Sequence, residues 1–163
     1  MIFDLTAASG GKRKYLFHNG NLAEEFKNYT YNSSFAKTTV DENGITVIVD
    51  HFELGAKYFV FRLGDSNNKL DFSKYKKLYF LFDYVDPGVS GGIFVTSDYA
   101  VGQYSIRDVA RASFGENAEP TIVEVDVSTV TGKYYLTFDM NLSKYEGEDM
   151  LGKGYRIRSI WYK

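Results

Sequence analysis

The sequence predicts an all-β domain, built as a two-sheet antiparallel β-sandwich with at most one short helix. Aromatic side chains favour strands, and the 163 residues include 14 Tyr, 13 Phe and one Trp. The 15 Gly, together with Asn and Asp, divide the chain into short strand-like runs. About nine or ten such runs, most of them joined by loops that are not tight turns, are typical of a sandwich. Because no linker divides residues 1–163, we expect one domain, either complete or a fragment of a larger protein.

The first half of the chain carries two strong turn signals between its strands. Asn-Gly in "HNGN" (18–21) tolerates positive φ and predicts a tight turn. The stretch "FAKTTVDENGITVIVD" (35–50) predicts a hairpin across "DENG", with Gly44 at the tight position. The strands predicted around these turns are 1–6, 14–18, 45–50 and 57–63.

The second half of the chain alternates in the same way, apart from one ambiguous stretch. The residues 105–114, "SIRDVARASF", fit a short helix and a strand equally well, and both alternatives stay open. The predicted strands are 77–84, 93–97, 120–127, 133–140 and 155–163.

The strand 77–84 is apolar on both of its faces. One face fits the core between the sheets and consists of Leu78, Phe80, Phe82 and Tyr84. The other face must meet a covering loop, a ligand or a partner, and it consists of Tyr79, Leu81 and Asp83.

Two stretches of the chain are nearly the same: "LDFSKYKKLYFLFDY" (70–84) and "VDVSTVTGKYYLTFDM" (125–140). Each begins with Asp-x-Ser-x-apolar and closes on Phe-Asp. Short Asp and Ser side chains hydrogen-bond to backbone N–H groups just ahead of them and so close turns. We therefore interpret both prefixes as structural corners, in which Tyr75 and Val130 close the edge of the sandwich.

These patches also carry a family resemblance. "KLDFSKYKKLYFLFDY" resembles the corner and strand of galactose-binding-like jelly-roll domains. "VEVDVSTVTGKYYLTF" with the closing "IRSIWY", and the opening "KYLFHNGN", are similar to β-sandwich modules of phage tail and baseplate proteins. The resemblance implies a jelly roll that acts as a non-catalytic carbohydrate- or receptor-binding module of a phage tail or tailocin-like particle. One departure is that "LAEEFKNYTYNSS" stands where those modules often have a Gly-Gly-Trp-like segment.

Composition removes several other kinds of partner. The net charge of −2 gives no electrostatic footprint for nucleic acid, and no apolar run reaches the ~20 residues of a membrane span. The absence of Cys excludes zinc–thiolate sites and disulfides. No signal peptide is visible, since Asp4 interrupts the first apolar stretch, and we expect a location in a tail-like particle assembled in the cytoplasm.

Enzymatic activity is not expected. The two histidines, His18 and His51, lie at strand ends and away from any nucleophile motif. Two carboxylate pairs are candidates for the two catalytic acids of a glycosidase, namely Asp83 with Asp139 and Glu124 with Asp126. No cofactor is expected apart from a structural calcium ion, for which the oxygen-rich "GDSNNKLD" (64–71) is the candidate loop without assigned ligands.

Sugar binding would use exposed aromatic rings flanked by planar polar groups. On strands, the candidate ligand-binding residues are Tyr79, Asp83, Tyr135 and Trp161. In the irregular segment 97–108, where core packing explains aromatic residues least, they are Tyr99, Gln103, Tyr104 and Arg107. The expected ligand is a glycan or a bacterial cell-surface polysaccharide, and copies of the chain or other tail proteins are further candidate partners.

Two other functions stay open at this point. The domain is alternatively a structural assembly or spacer domain of the same kind of particle, with its aromatic residues in subunit contacts. The third alternative is a small polysaccharide-active enzyme, which requires two carboxylates that meet in a cleft. A concave polar and aromatic groove favours the binding module, whereas a flat apolar patch of several hundred Å² favours the assembly domain.

Overall fold

The computed structural model describes residues 13–23, 29–31, 36–50, 59–63, 69–97, 108–140 and 150–163. The predicted strand 1–6 lies outside these residues. The described residues form thirteen strands: β1 (Lys14–His18), β2 (Asn21–Leu22), β3 (Tyr29–Tyr31), β4 (Ala36–Asp41), β5 (Gly44–Val49), β6 (Phe59–Leu63), β7 (Leu70–Asp71), β8 (Lys77–Val85), β9 (Gly91–Thr96), β10 (Asp108–Phe114), β11 (Thr121–Asp126), β12 (Lys133–Asp139) and β13 (Gly154–Tyr162). A 3-10 turn, Phe72–Lys74, lies between β7 and β8.

The strands form two antiparallel sheets. The seven-stranded sheet has the order β11-β8-β13, and both β5 and β1 then pair along the free edge of β13, with β4 beyond β5 and β2 beyond β1. The six-stranded sheet has the order β10-β9-β12-β6-β3, with β7 also paired to β12. The long strands β8 and β12 are therefore central in their sheets.

The order of the strands is that of a jelly roll. Eight strands form two rows of four, β5-β13-β8-β11 and β6-β12-β9-β10. The chain changes sheet at every connection between these eight strands except the one from β9 to β10. This arrangement of two sheets built from Greek keys confirms the predicted jelly-roll sandwich.

The core lies between the sheets and is rich in aromatic rings. Phe80 of β8 meets Phe138 of β12 edge to face at 5.7 Å, so the two near-repeats contact each other across the core. Such ring pairs add about 0.5–1.5 kcal/mol beyond the area that they bury. The fully buried side chains of largest volume are Trp161, Tyr135, Tyr155, Phe17, Phe72, Phe80, Phe82, Phe138 and Leu16.

The two Asp-x-Ser prefixes are corners, as predicted. Oδ1 of Asp71 accepts hydrogen bonds from the backbone N–H of Ser73 at 3.0 Å and from its Oγ at 2.6 Å. Oδ1 of Asp126 accepts the same two bonds from Ser128, at 2.9 and 2.6 Å. Tyr75 and Val130, the apolar residues that follow, are both buried.

The two corners also hold each other. The N–H of Phe72 in the first corner donates to the carbonyl of Gly132, the residue before β12, at 3.0 Å. The N–H of Val127 in the second corner donates to the carbonyl of Lys76, the residue before β8, at 2.9 Å. One corner carries the chain from the six-stranded sheet into β8, and the other carries it from the seven-stranded sheet into β12. We call this reciprocal pair of bonds the corner clasp.

Both predicted hairpin turns are present. Asn19 and Gly20 have φ of 51° and 78°, the left-handed conformations that a two-residue hairpin needs. Gly44 follows the turn after β4 with φ of 134°, and an added Cβ there would overlap the carbonyl of Ile157. Asn43 N–H donates to Asp41 Oδ1 at 2.8 Å within the same turn.

The structure corrects the expected position of Tyr84 and decides the conformation of residues 108–114. The sequence places Tyr84 in the core, but in the structure it is partly exposed and pairs with Arg156. The reason is a bulge between Phe82 and Tyr84, which adds one residue to β8 and so reverses the side of the sheet that Tyr84 faces.

The segment 105–114 is not helical where it is described, since Asp108–Phe114 is strand β10. Pairing with β9 along its whole length decides between the two conformations that local sequence left open.

No helix in the described ranges is both long and apolar enough to span a bilayer.

Candidate functional site

The outer side of the six-stranded sheet carries polar side chains that are buried. On β12, Leu136 and Phe138 point into the core, so the alternation of the strand places Tyr135, Thr137 and Asp139 on the opposite side. The register pairs these positions with Thr96 and Phe94 of β9, and Phe94 pairs in turn with Arg111 of β10. We call this side the six-stranded face, made of Gly92, Phe94, Thr96, Arg111, Ser113, Tyr135, Thr137 and Asp139.

Burial on this face is unusual because the residues are polar. Thr96, Tyr135 and Thr137 are exposed by only 1%, 2% and 5%. Among the described residues, Oγ1 of Thr137 has no hydrogen-bond partner. A buried hydroxyl without a partner costs about 1–3 kcal/mol, so Thr137 is a polar position whose hydrogen bonding the described residues do not satisfy.

A cleft of about 270 Å³ opens at one end of this face. We call it the Asp139 cleft, and it is lined by Ser90, Gly91, Gly92, Phe94, Arg111, Ser113, Phe114 and Asp139. The ring of Phe94 lies over Gly92, where an added Cβ would overlap it. The volume lies near the lower end of the range for small-molecule pockets, about 300–1,000 Å³, and suits one small polar unit.

Arg111 is held in place above the Phe94 ring. Its Nε and Nη2 donate to the two carboxylate oxygens of Asp108, both at 2.8 Å, and its Cζ lies 5.8 Å from the Phe94 ring centroid. This bidentate pair fixes the guanidinium while leaving its remaining N–H groups for a ligand.

Asp139 is the partly buried acid of the cleft. Its Oδ1 accepts a hydrogen bond from the backbone N–H of Gly92 at 2.5 Å. Burial raises the pKa of Asp139 from 3.8 to about 6, and the bond from Gly92 offsets part of that rise. The phenol of Tyr155 is fully buried on the core side, where burial, and secondarily the charge of Asp139, raise its pKa well above 10.

Half of the predicted ligand-binding residues lie outside the described part of the chain, namely Tyr99, Gln103, Tyr104 and Arg107. The described residues that flank this segment, Ser97 and Asp108, lie at the Thr96 end of the face, opposite to Gly92. Tyr135 lies on the face itself, with the Lys69 Nζ atom 5.2 Å from its ring centroid. The ligand-binding role of all these residues stays a prediction.

The other three predicted residues lie on the opposite side of the molecule, the outer side of the seven-stranded sheet. Tyr79 and Trp161 stack at 5.6 Å, and Arg13 lies 4.2 Å from the Trp161 ring centroid. Tyr79 is 7% exposed and Trp161 is 0% exposed, so both rings are buried. Asp83 forms an ion pair with Arg158. The fold thus divides the predicted set between two faces, and the part played by each residue in binding stays a prediction.

The sequence-based prediction did not name Thr137, Arg111, Ser113 or Asp139 as ligand-binding residues. A usable signal is present in "YLTFD" (135–139), because alternate residues of a strand share a face and Tyr, Thr and Asp alternate there with Leu and Phe. The contribution of β10 depends on its pairing with β9, which local sequence does not reveal.

The fold separates the first predicted carboxylate pair, and the acids of the second pair each contact another residue of the chain. Asp83 and Asp139 lie in different sheets and on opposite outer sides, so the idea that they approach each other is wrong. Glu124 forms an ion pair with Lys77 at 2.7 Å, and Asp126 closes its corner with Ser128.

The described histidine has a local role. His18 Nδ1 lies 3.0 Å from Ser159 Oγ, and its ring stacks on Tyr15 at 4.0 Å. No group of three or more metal-ligating side chains occurs in the described ranges, and most of the candidate calcium loop, 64–68, lies outside them.

A second, larger cleft of about 600 Å³ lies at the loops after β8 and β10. Its acids are already bound within the chain. Asp86 accepts from Gly154 N–H at 2.8 Å, and Glu116 accepts from Gly88 N–H at 3.3 Å. A cleft that combines convergent polar groups with a strongly perturbed pKa is the better candidate site, which favours the Asp139 cleft.

Comparison with known proteins adds one similarity. No protein-family profile matches the chain, and no curated protein matches it. Among solved structures, the chain is similar to a carbohydrate-binding module, TmCBM27, whose structure was described for specific mannan recognition. The two share 11% identity with a TM-score of 0.40, over 93% of this chain and 95% of the other.

Proposed function

We propose that the chain is a non-catalytic carbohydrate-binding module whose ligand lies on the six-stranded face. The observation that carries this proposal is the Asp139 cleft. There a partly exposed aromatic ring, Phe94, is flanked by a guanidinium, a partly buried carboxylate and two serine hydroxyls. An aromatic surface with a few convergent polar groups is the combination that binds a sugar ring, because such a ring has apolar C–H faces and a rim of hydroxyls.

Each group has a distinct part in binding. The Phe94 ring packs against the apolar face of a sugar. Arg111 donates hydrogen bonds to sugar oxygens, and Ser90 and Ser113 offer hydroxyls at the rim of the cleft. Because Asp108 already fixes Arg111, little side-chain entropy is lost on binding. Affinity at one small cleft is weak, and several copies on one particle raise it through multivalency.

Within the described part of the chain, the surface gives little support to the alternative assembly role. Among the described residues, the large hydrophobic side chains that are exposed are Val109 and Leu151, which belong to different elements. Subunit interfaces of assembly domains need a contiguous apolar patch of several hundred Å². A role in a phage tail or tailocin-like particle is a further proposal, supported by the sequence resemblance of the patches at 14–21, 70–84 and 125–140.

The test is a glycan array probed with the chain displayed multivalently. The array should contain plant and bacterial polysaccharides and cell-wall fragments. We expect at least one glycan to bind and a free sugar of the same kind to compete. Phe94→Ala and Arg111→Ala should each lower binding tenfold or more, because each removes one wall of a small cleft.

Arg156→Ala is the matched control. Arg156 also lies over an aromatic ring, 5.5 Å from the Tyr84 centroid, but it belongs to the seven-stranded sheet. Binding by this variant should equal that of the wild type. Tyr104→Ala and Arg107→Ala test the predicted loop in the same assay. Failure of every glycan to bind, or equal losses in the Arg111 and Arg156 variants, would remove the six-stranded face from consideration.

A further inference from the structure

We propose that Asp139 selects the ligand: its carboxylate accepts a hydroxyl of an uncharged sugar, and the Asp139 cleft rejects sugars that carry a carboxylate. This inference rests on the proposed function and deepens it, because it assigns both a specificity-determining residue and a ligand class.

The first support is the charge balance of the cleft. Arg111 is the positively charged residue of the lining, and its Nε and Nη2 groups both donate hydrogen bonds to Asp108. The carboxylate of Asp108, which lies outside the lining, offsets this positive charge within β10. When Asp139 is ionised, Arg111 (+1), Asp108 (−1) and Asp139 (−1) together carry a net charge of −1. An anionic ligand then meets repulsion that Arg111 does not cancel.

The residues nearest to Asp139 on the neighbouring strands are uncharged. From β9 it meets the N–H of Gly92 and the apolar ring of Phe94. From β13, on the core side, the titratable group is the phenol of Tyr155, which burial keeps neutral. On β6 the residue opposite Asp139 in the register is Phe59, and the charged residue of that strand, Arg62, pairs with Thr137 further along the face.

The second support is the geometry of the carboxylate. Gly92 N–H is the donor that reaches Asp139 among the described residues, and it bonds to Oδ1. The other oxygen keeps its capacity to accept while the side chain lines an open cleft. A ligand hydroxyl that donates to a carboxylate forms a charge-assisted bond, roughly twice as strong as a neutral one.

The charge balance and the geometry of Asp139 together predict that the affinity for a neutral sugar depends on pH. A donated hydroxyl stabilises the ionised form of Asp139, so binding must lower the pKa from its free value of about 6. Affinity for a neutral sugar therefore rises as the pH rises through 6. If binding returns the pKa to its ordinary range near 4, affinity at pH 7 exceeds affinity at pH 5 by about tenfold.

Gly92 provides the reporter for the test, because its amide proton lies in the hydrogen bond to Asp139. The amide spectrum of the ¹⁵N-labelled chain is recorded across pH 4–8, alone and with about 50 mM of each probe, which is about 10-fold above a dissociation constant of about 5 mM. The probes are the methyl glycosides of glucose, galactose and mannose, and the matched methyl glycosides of glucuronic and galacturonic acid. Each matched pair differs only in a hydroxymethyl group or a carboxylate at C6.

We expect a neutral glycoside to shift amides of the six-stranded face and to lower the midpoint of the Gly92 titration by about one unit or more. The matched uronide should bind at least tenfold more weakly at pH 7. In Asp139→Asn, binding should not vary with pH and the preference over the uronide should fall. Asp41→Asn is the control, because Oδ1 of Asp41 also accepts one backbone hydrogen bond, from Asn43 N–H, but lies in a turn of the other sheet, and this variant should behave as the wild type.

The results separate the two proposals. Binding to the six-stranded face without any change in the Gly92 midpoint, or with equal affinity for the uronide, overturns the role of Asp139 and leaves the proposed function standing. Absence of binding by every probe, and by the polysaccharides of the array, overturns both.

Discussion

Replacement of Asp139 by Asn should change how the stability of the fold depends on pH. Burial raises the pKa of this carboxyl from 3.8 to about 6 in the folded chain. At about 1.4 kcal/mol per pKa unit, ionisation of Asp139 costs the folded state about 3 kcal/mol relative to the unfolded state. This is a substantial part of the 5–15 kcal/mol that stabilises a typical domain, so the effect is large enough to measure.

The sign follows from proton binding in the two states. Below pH 4 Asp139 is protonated in both states, and no penalty exists. Between about pH 4 and 6 the folded state keeps the proton while the unfolded state loses it, so the stability of the wild type falls as the pH rises. Above pH 6 the full penalty is present. Asn carries no charge, and its amide oxygen can still accept the bond from Gly92, so the variant avoids this penalty.

The assay is urea unfolding of both proteins at half-unit steps from pH 4 to pH 8. The free energy of unfolding of Asp139→Asn, minus that of the wild type, should increase by about 2.4 kcal/mol between pH 4 and pH 7, because part of the penalty is already present at pH 4. In thermal unfolding this corresponds to about 5–10 °C for a domain of this size. A difference between the two proteins that stays constant across this range would show that Asp139 titrates normally, and the description of the cleft as a desolvated acid site would be wrong.

The remaining predictions concern the corners and the glycine beneath Phe94. Asp71→Ala and Asp126→Ala should each lower the Tm. Because the corner clasp couples the two sites, the double variant should lower the Tm by less than the sum of the two single losses. Additive losses would refute that coupling. Hydrogen bonds from Ser73 and Ser128, foremost from their side chains, lower the pKa of the two acids. In acid unfolding curves this contribution should therefore begin to decline below about pH 4 and be lost as the pH falls through the lowered pKa of the folded state. Gly92→Ala should displace the Phe94 ring, because the added Cβ would overlap it, and should lower the free energy of unfolding by about 1–3 kcal/mol in urea unfolding. A variant as stable as the wild type would show that this overlap does not occur.

Local patterns in the sequence predicted most of the elements correctly. Alternation located β8, β11, β12 and β13 to within a residue or two, since one side of each strand packs into the core. Asn-Gly at 19–20 and the glycine at 44 specified their turns because each needs a positive φ. The corners were predictable for the same reason, as an Asp and a Ser two residues apart can satisfy each other and the backbone without help from the rest of the fold.

The errors arose where distant parts of the chain decide the outcome. The side that Tyr84 faces depends on a bulge opposite Arg156, which lies far away in sequence. The strand conformation of 108–114 depends on pairing with β9. The candidate site needs β10, β9 and β12 side by side in one register, and no local pattern specifies that order.

The two near-repeats show how the same local sequence acquires different chemistry. Both close on Phe-Asp, and in both the Phe points into the core while the Asp lies on an outer side. The corner clasp sends the two strands into different sheets, so the acids end on opposite sides of the molecule. There Asp83 forms an ion pair with Arg158, whereas the hydrogen bond that Asp139 accepts among the described residues comes from the N–H of Gly92. The repeat therefore specifies the frame of the sandwich twice, and the neighbouring strand determines that one of its acids forms an ion pair while the other accepts a backbone hydrogen bond at a cleft.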